Sequence, residues 1–278
     1  MDAALYIVAT PIGNLGDISE RAIEILKQVD LIAAEDTRHS KTLLERFGIK
    51  TKMSAYHEYN EEKVTQQLIQ QLLDGQSIAL ISDAGTPLIN DPGYKLVVAA
   101  HDKGVQVIPI PGPSAIITAL SASGLPTNKF IFEGYLPAKS EARKTRLNEL
   151  KNESRTLVFY EAPHRIVESA KIMQEIFGVE RRVTIARELT KQFEQIVRDT
   201  LSSINEKIES GEIKVKGEFV VIVEGTKETL VTDKEALRIN QILAEKLSPK
   251  DAAGLTAKIT GRKKNEVYQL VLESEKGN

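Results

Sequence analysis

Cysteine is absent from the 278 residues, which excludes disulfides, thiolate zinc and iron–sulfur clusters and is compatible with a reducing compartment. Histidine is scarce. His39, His57, His101 and His164 are scattered and none forms an HxxxH pair, so no metal centre is expected. No window approaches the ~20 consecutive apolar residues of a membrane helix, and the start "MDAALYIVATPIGNL" lacks the basic, then long apolar, pattern of a signal peptide. A soluble, cytoplasmic protein with no membrane contact is expected. A basic excess is missing too. The formal net charge is −2, so any contact with nucleic-acid phosphates must come from local patches.

The composition itself, 41% hydrophobic and 27% charged, is that of a folded protein long enough for two domains. Through the first 110 residues, short β-branched runs (5–9, 31–34, 77–82 and 105–110) alternate with amphipathic stretches, the pattern of a parallel α/β sheet. In "DISERAIEILKQVD" the residues Ile18, Ala22, Ile25, Leu26 and Val29 share one helical face. Val64, Leu68, Leu72 and Leu73 do so in "NEEKVTQQLIQQLLDG". After a Pro/Gly-rich break at 111–127, strands are expected at 130–135, 156–161, 182–188, 194–199 and 218–225. The third and fourth are joined only by "LTKQF", which makes them antiparallel neighbours and the second sheet mixed. The organisation expected is an N-terminal α/β domain over 1–112, a C-terminal α/β domain over 113–228 and a helical, helix-turn-helix-like extension over 232–278. In the extension, Ser248 before Pro249 reads as an N-cap and Gly261 as a C-cap.

Four loops end at the carboxyl edges of the first-sheet strands, where ligands of open α/β sheets bind: "TPIGN", "EDTRHS", "SDAGTPL" and "PGPSA". The first is glycine-rich but matches neither GxGxxG nor GxxxxGK[ST], offers no lysine, and loses a backbone donor at Pro11. A tight strand-to-helix turn is its plainer reading. In "ISDAGTPLINDPG" the aspartates would repel a phosphate, whereas a carboxylate at a strand end suits ribose hydroxyls or a cation. Such acidic loops point to a nucleoside with a positive centre. Asp91, directly before Pro92, reads as the N-cap of the next helix.

Taken together and in order from residue 8 to 191, "VATPIGNLGDIS", "AEDTR", "ISDAGTPLINDPG", "PIPGPSA", "FEGYLP", "FYEAPHR" and "ARELTK" resemble the ribosomal RNA small subunit methyltransferase I family of the tetrapyrrole methylase superfamily. The superfamily's first-loop GxGPG is "ATPIG" here, the form expected in the ribosomal branch. The resemblance implies S-adenosylmethionine bound between two α/β domains, methyl transfer to the ribose 2′-hydroxyl of a cytidine in the decoding centre of 16S rRNA on the small ribosomal subunit, and a cytoplasmic homodimer. Mapped by motif, it implies cofactor contacts at Pro11, Ile12, Ser82, Asp83, Gly85, Thr86, Ser114, Ala115, Tyr160 and Leu189.

Methyl transfer from a sulfonium needs alignment and removal of a hydroxyl proton. Glu35, Asp36, His57, Glu61, Glu161 and Glu188 lie near strand ends, and Asp36, His57 and Glu161 are the catalytic candidates. Each has a plainer reading: Asp36 pairing with Arg38, His57 as a polar loop residue, Glu161 in a salt bridge to Arg165 or Arg187. RNA contacts are expected from Lys139, Arg143, Lys144 and Arg146 in "PAKSEARKTRLNELK", from Arg165 and Arg187, and from Arg262, Lys263 and Lys264. A solvated helix face is the alternative for the first group.

Overall fold

A computed structural model describes residues 2–226 and 233–276. The expected boundaries at 228 and 232 lie outside the described residues. The chain divides into two compact units, Met1–Glu224 and Gly225–Asn278.

Unit 1 holds two five-stranded sheets. The first is formed by β1 (Leu5–Val8), β2 (Leu31–Ala34), β3 (Met53–Ala55), β4 (Ile78–Ile81) and β5 (Val107–Ile110), all parallel, in the order β3-β2-β4-β1-β5. Strands β2 and β4 are apolar and buried along their whole length, as strands covered on both faces must be. Because successive side chains alternate, Leu5 packs on one face and Tyr6 and Val8 on the other. Helices α1 (Glu20–Gln28) and α2 (Thr37–Arg46) cover the second of these faces, while α3 (Glu61–Leu73) and α4 (Tyr94–Asp102) cover the first. Ser19 starts α1 by accepting the Ala22 N–H at 3.1 Å. Strand β3 has no counterpart in the sequence reading, because three half-buried residues at a sheet edge leave no apolar run to detect.

Past Ile110 the chain changes sheets. Helix α5 (Ala115–Ser123) lies within the stretch read as a break, and its Ile116, Ala119 and Leu120 pack on Val158, Ala186, Val220 and Ile222 of the second sheet. That sheet contains β6 (Phe130–Tyr135), β7 (Thr156–Glu161), β8 (Arg182–Arg187), β9 (Gln195–Thr200) and β10 (Phe219–Val223) in the order β6-β7-β10-β8-β9. It is mixed: β6 and β7 are parallel, and β8 and β9 are antiparallel neighbours, as their short connection requires. Helices α6 (Ser140–Glu149), α7 (Ile166–Phe177) and α8 (Leu201–Glu209) bury its other face.

Unit 2 consists of α9 (Asp233–Ala244), α10 (Pro249–Thr260) and α11 (Lys264–Lys276) around Ala253, Ala257 and Val267. The Ser248 hydroxyl accepts the Asp251 N–H at 3.2 Å, and Gly261 ends α10 in the left-handed conformation. No helix of the described residues is long and apolar enough to cross a membrane.

Candidate active site

Strands β1 and β4 are neighbours, yet the chain leaves β1 for a helix on one face and β4 for a helix on the other, so their loops diverge and open a crevice. Its floor is stitched together. Thr10 and Gly85 exchange both backbone hydrogen bonds, at 2.9 and 3.0 Å, and the Thr86 hydroxyl donates to the Pro113 carbonyl at 3.1 Å. Gly85 sits at φ 86, a left-handed conformation that glycine adopts without the strain a side chain would bring.

Three carboxyl groups meet above this floor: Glu35 from the end of β2, and Asp83 and Asp91 from the loop after β4. The Asp83 N–H donates to Glu35 Oε2 at 3.4 Å, and Asp83 Oδ1 accepts the Asp36 N–H at 3.1 Å. Burial pushes the Glu35 carboxyl above its usual range. Burial pushes Asp91 up to about 6, the charge of Glu35 adds to the effect, and a hydrogen bond with the Ser82 side chain opposes it.

The facing wall comes from the second sheet. Tyr160 is the last but one residue of β7 and Tyr135 ends β6, with ring centroids 5.5 Å apart, and the Arg165 guanidinium lies 5.6 Å from the Tyr135 ring. Burial drives the Tyr160 hydroxyl up to about 12. Leu189 is pinned between Glu188 (φ 50) and Thr190 (φ 64). A β-branched residue in the left-handed region is strained, and such strain concentrates at functional sites. The Thr190 hydroxyl accepts the Asn14 N–H at 3.2 Å, tying this loop to the one after β1.

Between the walls lies a cavity of about 240 Å³. Eight of the residues expected to touch the cofactor line it: Ile12, Asp83, Gly85, Thr86, Ser114, Ala115, Tyr160 and Leu189. Pro11 and Ser82 line an adjoining hollow of about 620 Å³ with His39, Ser40 and Lys191. The lining of the smaller cavity carries Glu35, Asp83, Asp91 and Glu218 but no lysine or arginine among the described residues. Glu218 is paired with Lys191, but Glu35, Asp83 and Asp91 have no lysine or arginine partner among the described residues, and such a group of acids suits a positively charged ligand. Among the described residues no three His, Asp or Glu side chains are placed to hold a metal ion.

The structure corrects several site expectations. Asp91 does not cap α4, whose N-cap is Gly93 with no side-chain hydrogen bond. Leu88 and Asn90, both at φ 72, turn the chain ahead of Asp91, and it lines the cleft instead. Asp36 is itself a helix cap: it accepts the Arg38 N–H at 2.8 Å, and hydrogen bonds from Arg38 hold its carboxyl down at about 2, too acidic for a base at neutral pH. His57 lines neither hollow, and its N–H donates to Asn60 Oδ1 at 2.9 Å. Glu161 follows Tyr160 on the same strand and so points to the opposite face. There it is buried, accepting from the Ser169 hydroxyl at 2.5 Å and lying 2.9 Å from Arg165 Nε. Glu61 accepts the Tyr56 hydroxyl and the Gly93 N–H, each at 3.2 Å, beneath the loop that carries Asp91. Glu188 and Lys191 form the ordinary pair, 3.0 Å apart, with Glu218 at 2.6 Å on the other side of the ammonium.

Among the basic residues, Arg143 is only 1% exposed and donates to the Pro137 and Ala138 carbonyls and the Ser169 hydroxyl. Arg187 is buried and donates to the Lys216 and Phe193 carbonyls. Both belong to the scaffold. Arg165 serves Glu161 and the Leu136 carbonyl, Arg146 pairs with Glu133 and Glu149, Lys144 with Glu175, and Arg262 with Asp233. Lys139, Lys263 and Lys264 stay exposed.

Residues 4–205 match the family described as Tetrapyrrole (Corrin/Porphyrin) Methylases, and residues 231–275 match the RsmI C-terminal HTH domain. Ribosomal RNA small subunit methyltransferase I of Vibrio cholerae is 53% identical, over 97% of this chain and 94% of its own length. The chain belongs to this family. The Pseudomonas aeruginosa member is 49% identical over 98% of this chain and 97% of its own. Among solved structures, uroporphyrin-III C-methyl transferase from Thermus thermophilus complexed with S-adenyl homocysteine aligns with a TM-score of 0.54 over 80% of this chain and 97% of that chain. At 17% identity that likeness speaks for the fold alone. As a family member the protein is an S-adenosylmethionine-dependent methyltransferase.

Sequence reasoning missed Asn90, Asp91, Tyr135 and the stretch Glu218–Val220 on the cavity wall. The last group lies at the amino end of its strand, whereas ligands of open α/β sheets are expected at carboxyl ends. Strand β10 runs antiparallel to β7, so Val220 pairs with Tyr160 and the amino end of β10 faces the cleft.

Proposed function

We propose that this protein methylates the ribose 2′-hydroxyl of a cytidine in the decoding centre of 16S rRNA, with S-adenosylmethionine held between the two sheets. The observation that carries the donor assignment is the group of Glu35, Asp83 and Asp91 in the cleft with no lysine or arginine paired to them among the described residues, which rejects a phosphate and receives a sulfonium and an ammonium. Asp83, Gly85 and Thr86, with Ser114 and Ala115 on one side and Tyr160 and Leu189 on the other, would hold the cofactor. When bound, it supplies a methyl group on a positively charged sulfur. The chain contributes alignment through the stitched loops, a dry wall of Leu189 and Phe219, and carboxylates near the reacting centre.

Relatives named for small-subunit ribosomal RNA support the acceptor assignment, as do the exposed Lys139, Lys263 and Lys264. The half-exposed Tyr135 ring at the cleft supports a base-stacking role. The resemblance extends the proposal to a cytoplasmic homodimer, which sedimentation tests. Incubation of the protein with labelled S-adenosylmethionine and small ribosomal subunits lacking the modification tests the activity: label on the rRNA ribose supports it. Label that enters a uroporphyrinoid and not rRNA contradicts it.

A further inference from the structure

The sequence-based candidates for the proton acceptor leave the cleft, but the chemistry still requires one, and the cleft presents its own carboxylates. Two of these are committed elsewhere: Glu35 accepts the Asp83 N–H, and Asp83 accepts the Asp36 N–H. Glu218 is 74% exposed and paired to Lys191 at 2.6 Å. Asp91 differs, because among the described residues no backbone N–H donates to its carboxylate, which has a hydrogen bond with the Ser82 side chain and lines the cavity. Its backbone is held by strain. Leu88 and Asn90 are left-handed on its amino side, and Glu61 fixes the Gly93 N–H on its carboxyl side. Beside it stands Tyr135, whose half-exposed ring offers an incoming base a stacking surface.

We propose that the Asp91 carboxylate is the catalytic base that takes the proton of the acceptor hydroxyl, an assignment that rests on the ribose-methylation reading above. In the step, the ribose oxygen keeps the electron pair of its O–H bond and forms the O–CH₃ bond. The S–CH₃ bond breaks with its pair on sulfur, leaving a neutral thioether, and the proton resides on Asp91 until solvent removes it. The groups facing Asp91 across the cavity are Glu35, Asp83, Tyr135, Tyr160 and Glu218. Burial first, and then the charges of Glu35 and Asp83, make the carboxylate more basic than an isolated aspartate, yet mostly ionised at neutral pH.

The test compares the full-length wild type with Asp91→Asn and Glu35→Gln in single-turnover methylation of small ribosomal subunits across pH. Calorimetry measures S-adenosylmethionine affinity in parallel, and nucleoside analysis identifies the product. Loss of a general base lowers the rate of Asp91→Asn by about 100-fold or more and removes the rise of rate with pH seen in the wild type, while cofactor affinity changes far less. Glu35→Gln moves that rise to lower pH, because a neighbouring charge is gone. An Asp91→Asn rate within about threefold of wild type overturns the assignment, as does a loss fully matched by weaker cofactor binding. So does Glu35→Gln abolishing the rate while Asp91→Asn retains it. Wild-type label on a base, or absence of label from rRNA, overturns the ribose reading and the assignment with it. Label on the ribose together with an active Asp91→Asn sinks the assignment alone.

Discussion

A buried arginine and a half-buried carboxylate show how burial redirects side chains that look functional in sequence. Arg143 has the spacing of a phosphate-binding face, but its guanidinium satisfies two carbonyls and a hydroxyl inside the second sheet's helical layer. Arg143→Ala is expected to destabilise the fold by about 3 kcal/mol in denaturant titrations, because three acceptors lose a charged donor. It should leave the salt dependence of subunit binding unchanged. Asp91 carries the opposite cost. Its folded pKa is raised to about 6, so the native state binds its proton more tightly than the unfolded chain and ionisation is penalised only on folding. The penalty is absent well below the unfolded value, grows as pH rises and is complete above the folded value. Asp91→Asn should therefore raise stability above neutral pH by about 1 kcal/mol, discounted for its partial exposure, and by nothing near pH ~3, as thermal unfolding across pH would report. Sequence alone hides this, since "NDPG" reads as a cap and the left-handed residues ahead of Asp91 are a leucine and an asparagine that announce nothing.

At the scale of elements, the parallel first sheet and the mixed second sheet were legible because β-branched runs and connection lengths dictate them. Short edge strand β3 and helix α5 were not, since one lacks an apolar run and the other sits among turn residues. The facing walls follow from strand direction: β10 was expected as a strand at 218–225, but its amino end was not recognised as part of the cleft. Loop strain is also invisible in sequence. Gly217, at φ 81, lies where a Cβ would strike the Glu188 carboxylate, so Gly217→Ala must break the Glu188–Lys191 pair or move the loop that presents Leu189. Gly178, at φ 95, has nothing within 4 Å of such a Cβ. Gly217→Ala is expected to lose about 1–2 kcal/mol more than Gly178→Ala in thermal unfolding, the difference being the displaced carboxylate.

For the molecule as a whole, a formal charge of −2 means that the proposed RNA contact depends on local basic residues such as the exposed Lys139. If Lys139 meets a phosphate, Lys139→Ala lowers the slope of log affinity against log salt by about 0.7–0.9, whereas Arg143→Ala does not alter it. All the described residues that line the cleft lie in unit 1, so a chain ending at Glu224 should still bind S-adenosylmethionine in calorimetry. The central claim concerns the acceptor atom. Its most direct test is mass spectrometry of nucleosides from 16S rRNA after small subunits lacking the modification are treated with this protein and isotopically labelled S-adenosylmethionine. The account predicts labelled 2′-O-methylcytidine from the decoding region. Label confined to a nucleobase, or rRNA left unlabelled while the cofactor demonstrably binds, would contradict it.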